Sequence, residues 1–326
     1  MKIIDMHCDT IYRMFFEHQS LKNNDFNIDL NKMEQGDYLL QCFAVFTNLG
    51  KTKQPYLQAK AMIDLYQKEL ELNQDVIAPV FKFSDIEKNQ HNHKMSALLT
   101  LEEGSVIEGD LNKLQEFYDL GVRMITLTWN YENGIGFPNV VSRKNMTFQD
   151  TLHIDDKNGL TEFGKQYVKE MERLGMIVDV SHLSDAGFYD VLDITTKPFV
   201  ASHSNARNVC GVARNMSDDM IKQLSKRGGV MGINYAGDFL KQSTTGNERS
   251  YVSDMVKHIK HIVSVGGIDC VGLGSDFDGI DQNLEMNHAG KLSMLVDALY
   301  QDGFSKEDIE KICYKNVLRV LKEVLK

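Results

Sequence analysis

Eight times along the chain a short apolar run is followed by a longer stretch of helical periodicity, and this recurrence restricts the fold more than any other feature. The strand-like runs are residues 2–5, 39–46, 97–101, 124–127, 177–180, 199–201, 229–234 and 270–274. Helical patterns cover 56–72, 111–120, 161–174, 185–192, 218–226, 254–265, 290–300 and 306–325. Ser184, Ser217, Ser253 and Ser305 are each followed within two residues by an acid, the signature of a helix N-terminus. The steps Leu120-Gly121 and Leu174-Gly175 place a glycine where a helix ends before a strand. Strand–helix units repeated eight times predict an α/β chain built as a (β/α)8 TIM-type barrel, one domain over residues 1–326. A doubly wound open sheet is the alternative, but no G-x-G-x-x-G follows an early strand and no phosphate-binding G-x-x-x-x-G-K-[ST] loop exists.

A barrel of this kind carries its chemistry where strands end. The first apolar run delivers His7 and Asp9 two residues apart, so both side chains can point the same way. The third ends in Glu102-Glu103, the fifth in His182, the sixth in His203 and the eighth in Asp276. Imidazoles and carboxylates converging on one rim suit two zinc-like ions bridged by a carboxylate. Any one of these residues alone could be a rim histidine, a solvated acid or a helix cap; the coincidence of all of them is the signal. His18, His91, His93, His153, His258, His261 and His288 show no such placement, and 88–94 reads as a solvated polar loop holding His91 and His93.

The bulk properties exclude other classes. The net charge is −10 with no basic run, which argues against nucleic-acid binding. No apolar stretch approaches the roughly 20 residues that span a bilayer. The N-terminus has no secretory pattern and the C-terminal helix is charged and amphipathic, so the expected location is cytoplasmic, without membrane attachment. The five cysteines (Cys8, Cys42, Cys210, Cys270 and Cys313) are scattered and unpaired in sequence, and are expected to be buried filler.

Several segments in order resemble the membrane dipeptidase (renal dipeptidase) family of zinc metallopeptidases, within the amidohydrolase superfamily. They are Ile4-Asp5-Met6-His7-Cys8-Asp9, Gly121 to Thr128, Gly159 to Gly164, Gly175 to His182, Ser202-His203-Ser204, Ala213-Arg214-Asn215 and Gly274 to Gly279. The resemblance runs from His7 to about Arg319. It implies that His7 and Asp9 bind a first zinc, His182 and His203 a second, and that Glu102 rather than Glu103 bridges them. It further implies that Arg214 grips the C-terminal carboxylate of a dipeptide and that Asp276 shuttles protons. The family's glycine after the bridging glutamate is Glu103 here, and the mammalian members' histidine after the Leu-Thr of the fourth strand is Trp129, followed by Asn130. Trp129 and Asn130 are therefore candidates for substrate contact, with Asn130 a candidate hydrogen-bond donor. The implied activity is hydrolysis of small dipeptides, including those ending in a D-residue, and the family allows a homodimer. The rival readings are another binuclear metal amidohydrolase, such as a lactonase or N-acyl-amino-acid hydrolase, and a non-catalytic metal-binding relic.

Overall fold

The computed structural model describes residues 1–243 and 246–326. Among the described residues nine strands occur: β1 (Ile3–Asp5), β2 (Tyr38–Phe46), β3 (Ile77–Pro79), β4 (Met95–Glu102), β5 (Val122–Thr126), β6 (Ile177–Asp179), β7 (Val200–Ala201), β8 (Val230–Ile233) and β9 (Val271–Leu273). Neighbours run in the order β2-β1-β9-β8-β7-β6-β5-β4-β3, all parallel, and β2 also pairs with β4. That last pairing closes β1, β2 and β4 to β9 into an eight-stranded barrel. Helices connect the strands, so the expected single-domain (β/α)8 architecture holds. The additional strand, β3, takes the edge of β4 at Met95 to Ala97, before β5 joins the same edge at Leu99.

The barrel closes because its strands alternate. Ile4, Leu40, Leu98, Met124, Ile177, Val200 and Val230 form one buried cluster, while their neighbours Ile3, Ala97, Leu99, Ile125, Val178, Ala201 and Met231 belong to another beneath the helices. A period of two sends successive side chains inward and outward, so one apolar run serves both layers. The C-terminal helix Asn316–Val324 contributes Val317, Val320, Leu321 and Val324 to the interior cluster and plugs one end of the barrel. Met6 fills the centre: a Cβ on Gly232 or Gly272 would lie 2.8 or 3.2 Å from its Cε, so both glycines make room for the methionine.

Ser184, Ser217 and Ser305 cap helices through their hydroxyls, accepting from the amides of Gly187, Met220 and Asp308. Gly175 closes its helix in the left-handed conformation at φ 80°. Ser253, expected as a cap, instead lies inside the helix Val252–Gly266, because that helix starts from Tyr251, two residues earlier than its polar pattern suggests. The 88–94 run is also not a loop throughout: Lys88 to His91 form the last turn of the helix Phe83–His91, which Asp85 caps by accepting from the amide of Lys82. Helices Thr10–Glu17 and Leu30–Gln35 lie in segments where no helix was expected. All five cysteines are free and buried, as expected.

Candidate metal centre

Six of the proposed rim residues meet at one end of the barrel. Strand β4 runs inward through Leu98 and Thr100 to Glu102, so the two-residue period aims Glu102 into the barrel and turns Glu103 away. Glu103 instead accepts from the amides of Ser105 and Trp129 and from Asn133 Nδ2, which accounts for its burial in a structural position. The Glu102 carboxylate is shared between two groups. Its Oε2 lies 3.3 Å from His7 Nε2, and its Oε1 lies 3.0 and 3.5 Å from the Nε2 atoms of His182 and His203. On the far side of His7, Asp9 Oδ2 and Asp276 Oδ1 stand 3.7 and 3.8 Å from the same Nε2.

The backbone and a surrounding polar layer hold these groups in place. His182 and Asp276 adopt φ values of 69° and 60°, in a region that L-residues enter at a cost. His182 Nδ1 lies 2.8 Å from Asn130 Oδ1 and donates to it, leaving the Nε2 lone pair directed inward. Ser202 Oγ donates to Asp179 Oδ2 and accepts from His203 Nδ1 at 2.7 Å, fixing the same tautomer. Asp179 also accepts from Thr126 Oγ1 and from the amides of Ser181 and Ser202. Asp5 has the matching position under His7, accepting from the amide and hydroxyl of Ser275 and from the amide of His7. Gly279 allows the two outer carboxylates to crowd the backbone: a Cβ there would lie 1.9 Å from Asp9 Oδ2 and 2.8 Å from Asp276 Oδ1.

The electrostatics describe a buried cluster in which carboxylates outnumber the charges that could balance them. Burial, opposed by His7, raises the Asp9 carboxyl to about 6. Burial likewise raises Asp276 to about 7, with Asp9 and Glu102 reinforcing it. Burial favours a neutral His7, but Glu102 and Asp9 outweigh it and lift the ring well above its ordinary value. Burial and Arg214 lower His182 to about 4, while burial, His7 and Arg214 hold His203 well below its ordinary range. The nitrogens His182 Nε2 and His203 Nε2 lie 3.0 Å apart with both outer nitrogens occupied, so two lone pairs face each other. Both ring nitrogens of His7, Asp9 Oδ1 and Glu102 Oε1 are buried without hydrogen-bond partners. The facing lone pairs of His182 and His203, beside three converging carboxylates, fit a cation. His7, Glu102 and His203, and separately His7, Asp9 and Asp276, are close enough to share one.

The remaining expected residues lie beside this cluster. Arg214 is buried; it donates to Ser204 Oγ and to the carbonyl of His203, both at 2.9 Å, and leaves Nε without a partner. Burial lowers its pKa, with Asp276 and Glu102 opposing. Trp129 packs against Phe46 and Tyr131, with ring centroids 4.9 and 5.7 Å away, and lies 6.3 Å from His182. Asn130, expected at the substrate, has its side-chain oxygen committed to His182. Sequence reasoning missed Asn234, whose Nδ2 donates to Asp276 Oδ2 at 2.8 Å, and the supporting roles of Asp5, Asp179 and Ser202. Asn234, Asp179 and Ser202 are common polar residues with no metal-like spacing to mark them, whereas Asp5 shares the two-residue spacing of His7 and Asp9 and could have been found from it.

The membrane dipeptidase (peptidase family M19) profile matches residues 1–326. An uncharacterized dipeptidase of Schizosaccharomyces pombe is 32% identical over 344 residues, covering 99% of this chain and 80% of its own length. The dipeptidase tcpJ of Claviceps purpurea is 30% identical, covering 91% of this chain and 69% of its own length. Among solved structures, a metallopeptidase described as dipeptidase AC superposes with a TM-score of 0.89 at 25% identity, covering 100% of this chain and 99% of that one. A Rhodobacter sphaeroides metallopeptidase bound to a phosphinate mimic of L-Ala-D-Ala gives 0.86 at 23% identity, covering 99% of each chain, and shows the shared fold. With a family match over its whole length and a buried cluster suited to a cation, this chain belongs to the membrane dipeptidase family of metallopeptidases.

Proposed function

We propose that the chain is a binuclear zinc dipeptidase in which His7 and Asp9 hold one ion, His182 and His203 hold the other, and Glu102 bridges them. The observation that carries this reading is the division of the Glu102 carboxylate, one oxygen toward His7 and the other toward the His182–His203 pair. Zinc at such a site activates water at neutral pH and polarises a carbonyl.

The chain's own residues would supply the rest of the reaction. Arg214 is a buried guanidinium with no carboxylate partner among its hydrogen bonds, and it binds the C-terminal carboxylate of the substrate. Asn234 fixes Asp276 Oδ2, leaving Oδ1 toward the centre. With Oδ1 facing the same centre as the ligands, Asp276 takes the proton from the attacking water and passes it to the leaving amine. Trp129, Phe46 and Tyr131 wall the site beside His182 and exclude water. A clamp that grips the terminal carboxylate does not read the configuration of the residue carrying it, so dipeptides ending in a D-residue are included among the substrates. Among the described residues no helix is long and apolar enough to cross a membrane. The reading extends to a cytoplasmic enzyme, assembled as a homodimer.

The test is hydrolysis of paired L-X-L-Y and L-X-D-Y dipeptides, with chelator and with zinc restored, in the wild type and in Arg214→Ala. Chelator-sensitive, zinc-restored cleavage with a large rise in KM for Arg214→Ala is expected. A protein that holds two ions but leaves every dipeptide intact refutes the reading and directs attention to lactones and N-acyl amino acids.

A further inference from the structure

Arg214 sits on the connection 205–217, which no strand or helix spans and whose ends an isolated bridge between Ala206 and Met216 joins. Its two flanking carbonyls are nevertheless fixed. Arg207 donates from Nε to the Asn215 carbonyl at 2.8 Å and from Nη2 to the Ala213 carbonyl at 3.2 Å. Asn139, from the long connection after β5, donates to the same Ala213 carbonyl at 3.0 Å. Both tethers are anchored by Asp185. Its carboxylate takes a bidentate pair from Arg207, both bonds 2.7 Å, and accepts from Asn139 Nδ2 at 2.8 Å. Asp185 opens the helix Asp185–Ile194, three residues after His182. Asn139 binds that turn as well, its amide donating to the His182 carbonyl.

We propose that Asp185 and Arg207 are positioning residues that set the guanidinium of Arg214 at a fixed distance from the metal ligand His182. A planar fork gripping one carboxylate on one edge and two backbone carbonyls on the other transmits the location of the His182 turn to the peptides on either side of Arg214. Neither residue touches the substrate. Their effect is registration: they hold the guanidinium of Arg214 in one place relative to the turn that carries His182. The inference rests on the reading of Arg214 as the carboxylate clamp.

The experiment compares a cleaved dipeptide with its C-terminal amide, which lacks the carboxylate. Wild type, Arg214→Ala, Arg207→Met, Arg207→Lys and Asp185→Asn are measured, each with its metal content. Arg207→Met is expected to raise KM for the free dipeptide about tenfold and to lower the acid-to-amide ratio of kcat/KM toward that of Arg214→Ala. Asp185→Asn shifts the ratio in the same direction, and Arg207→Lys, which keeps a charged donor to Asp185, restores part of it. Equal losses on acid and amide, or a variant that folds without its metal complement, overturn the proposal in favour of a structural ion pair. If Arg214→Ala lowers the ratio and the Arg207 and Asp185 variants do not, only the positioning role falls. If Arg214→Ala itself leaves the ratio unchanged, the clamp and this inference fall together.

Discussion

Gly279→Ala tests the metal geometry without touching a ligand. The added Cβ would lie 1.9 Å from Asp9 Oδ2 and 2.8 Å from Asp276 Oδ1, where real contacts are essentially never under 3.0 Å. Both clashing atoms end rotatable side chains, so the carboxylates yield before the backbone does. Asp9 must retreat by about 1 Å or more, several times the roughly 0.2 Å tolerance of a metal–oxygen bond. That displacement removes Asp9 from the ligand set. Losing an outer partner of a ligand costs about 10–100-fold in metal affinity, and losing a ligand costs at least the upper end, about 2.7 kcal/mol or more. The expected result is a fall in bound zinc from two ions per chain to one, measured by elemental analysis after dialysis, with the helical signal and the melting temperature of the metal-free protein kept close to wild type. The remaining ion should be the one held by His182 and His203, whose tautomers Asn130 and Ser202 fix independently of Asp9. Two tightly held ions in Gly279→Ala, with the same chelator midpoint as wild type, would refute Asp9 as a ligand.

Asp276→Asn is expected to retain its metal and lose about 10²–10⁴-fold in kcat, the usual worth of a general acid–base, as measured by steady-state hydrolysis beside elemental analysis. A fully active variant removes Asp276 from the proton path. His258 supplies a pH-dependent term away from the metals: its Nδ1 accepts from the Ala206 amide and its Nε2 donates to the Leu240 carbonyl, so it folds neutral. Burial lowers its pKa from 6.5 to about 4. The unfolded chain therefore binds the extra proton first, and the stability His258 contributes is complete above about pH 6.5 and lost as pH falls toward 4. Denaturant titrations should show the gap between wild type and His258→Gln narrowing by about 2 kcal/mol from pH 7 to pH 5, and a constant gap would show that the ring titrates alike in the folded and unfolded chain.

The barrel and the place of Glu102 were legible because both follow one rule, the two-residue period. It turns Ile4, Leu98 and Met124 inward and carries Glu102 to the rim in the same phase, whereas Glu103 falls out of phase and becomes structural. Strand β3 was not legible: three residues ending in proline are too short to show alternation, and the strand forms only because β4 is longer than β5 and leaves an edge open. The helix Thr10–Glu17 was hidden by the metal motif that starts it, and Phe83–His91 by its polar surface. The supporting layer was illegible for a different reason. Asn130, Asn234, Ser202, Asp185 and Arg207 act through contacts between residues distant in sequence, and only the closed barrel brings them together.

The plug formed by Asn316–Val324 has a consequence for the order of events during synthesis. Val317, Val320 and Val324 complete the same interior cluster as Ile4, so the first strand waits for the last helix before its inner face is covered. The groups at His7 and Asp9 leave the ribosome first, yet their partners arrive only with residues 102, 182 and 203. A growing chain of this design carries His7 and Asp9 without their partners until residue 203 has been made. Pairings so distant in sequence close slowly. A cation that needs both halves of the cluster is therefore expected to bind only after residues 102, 182 and 203 have joined His7 and Asp9 in the closed barrel.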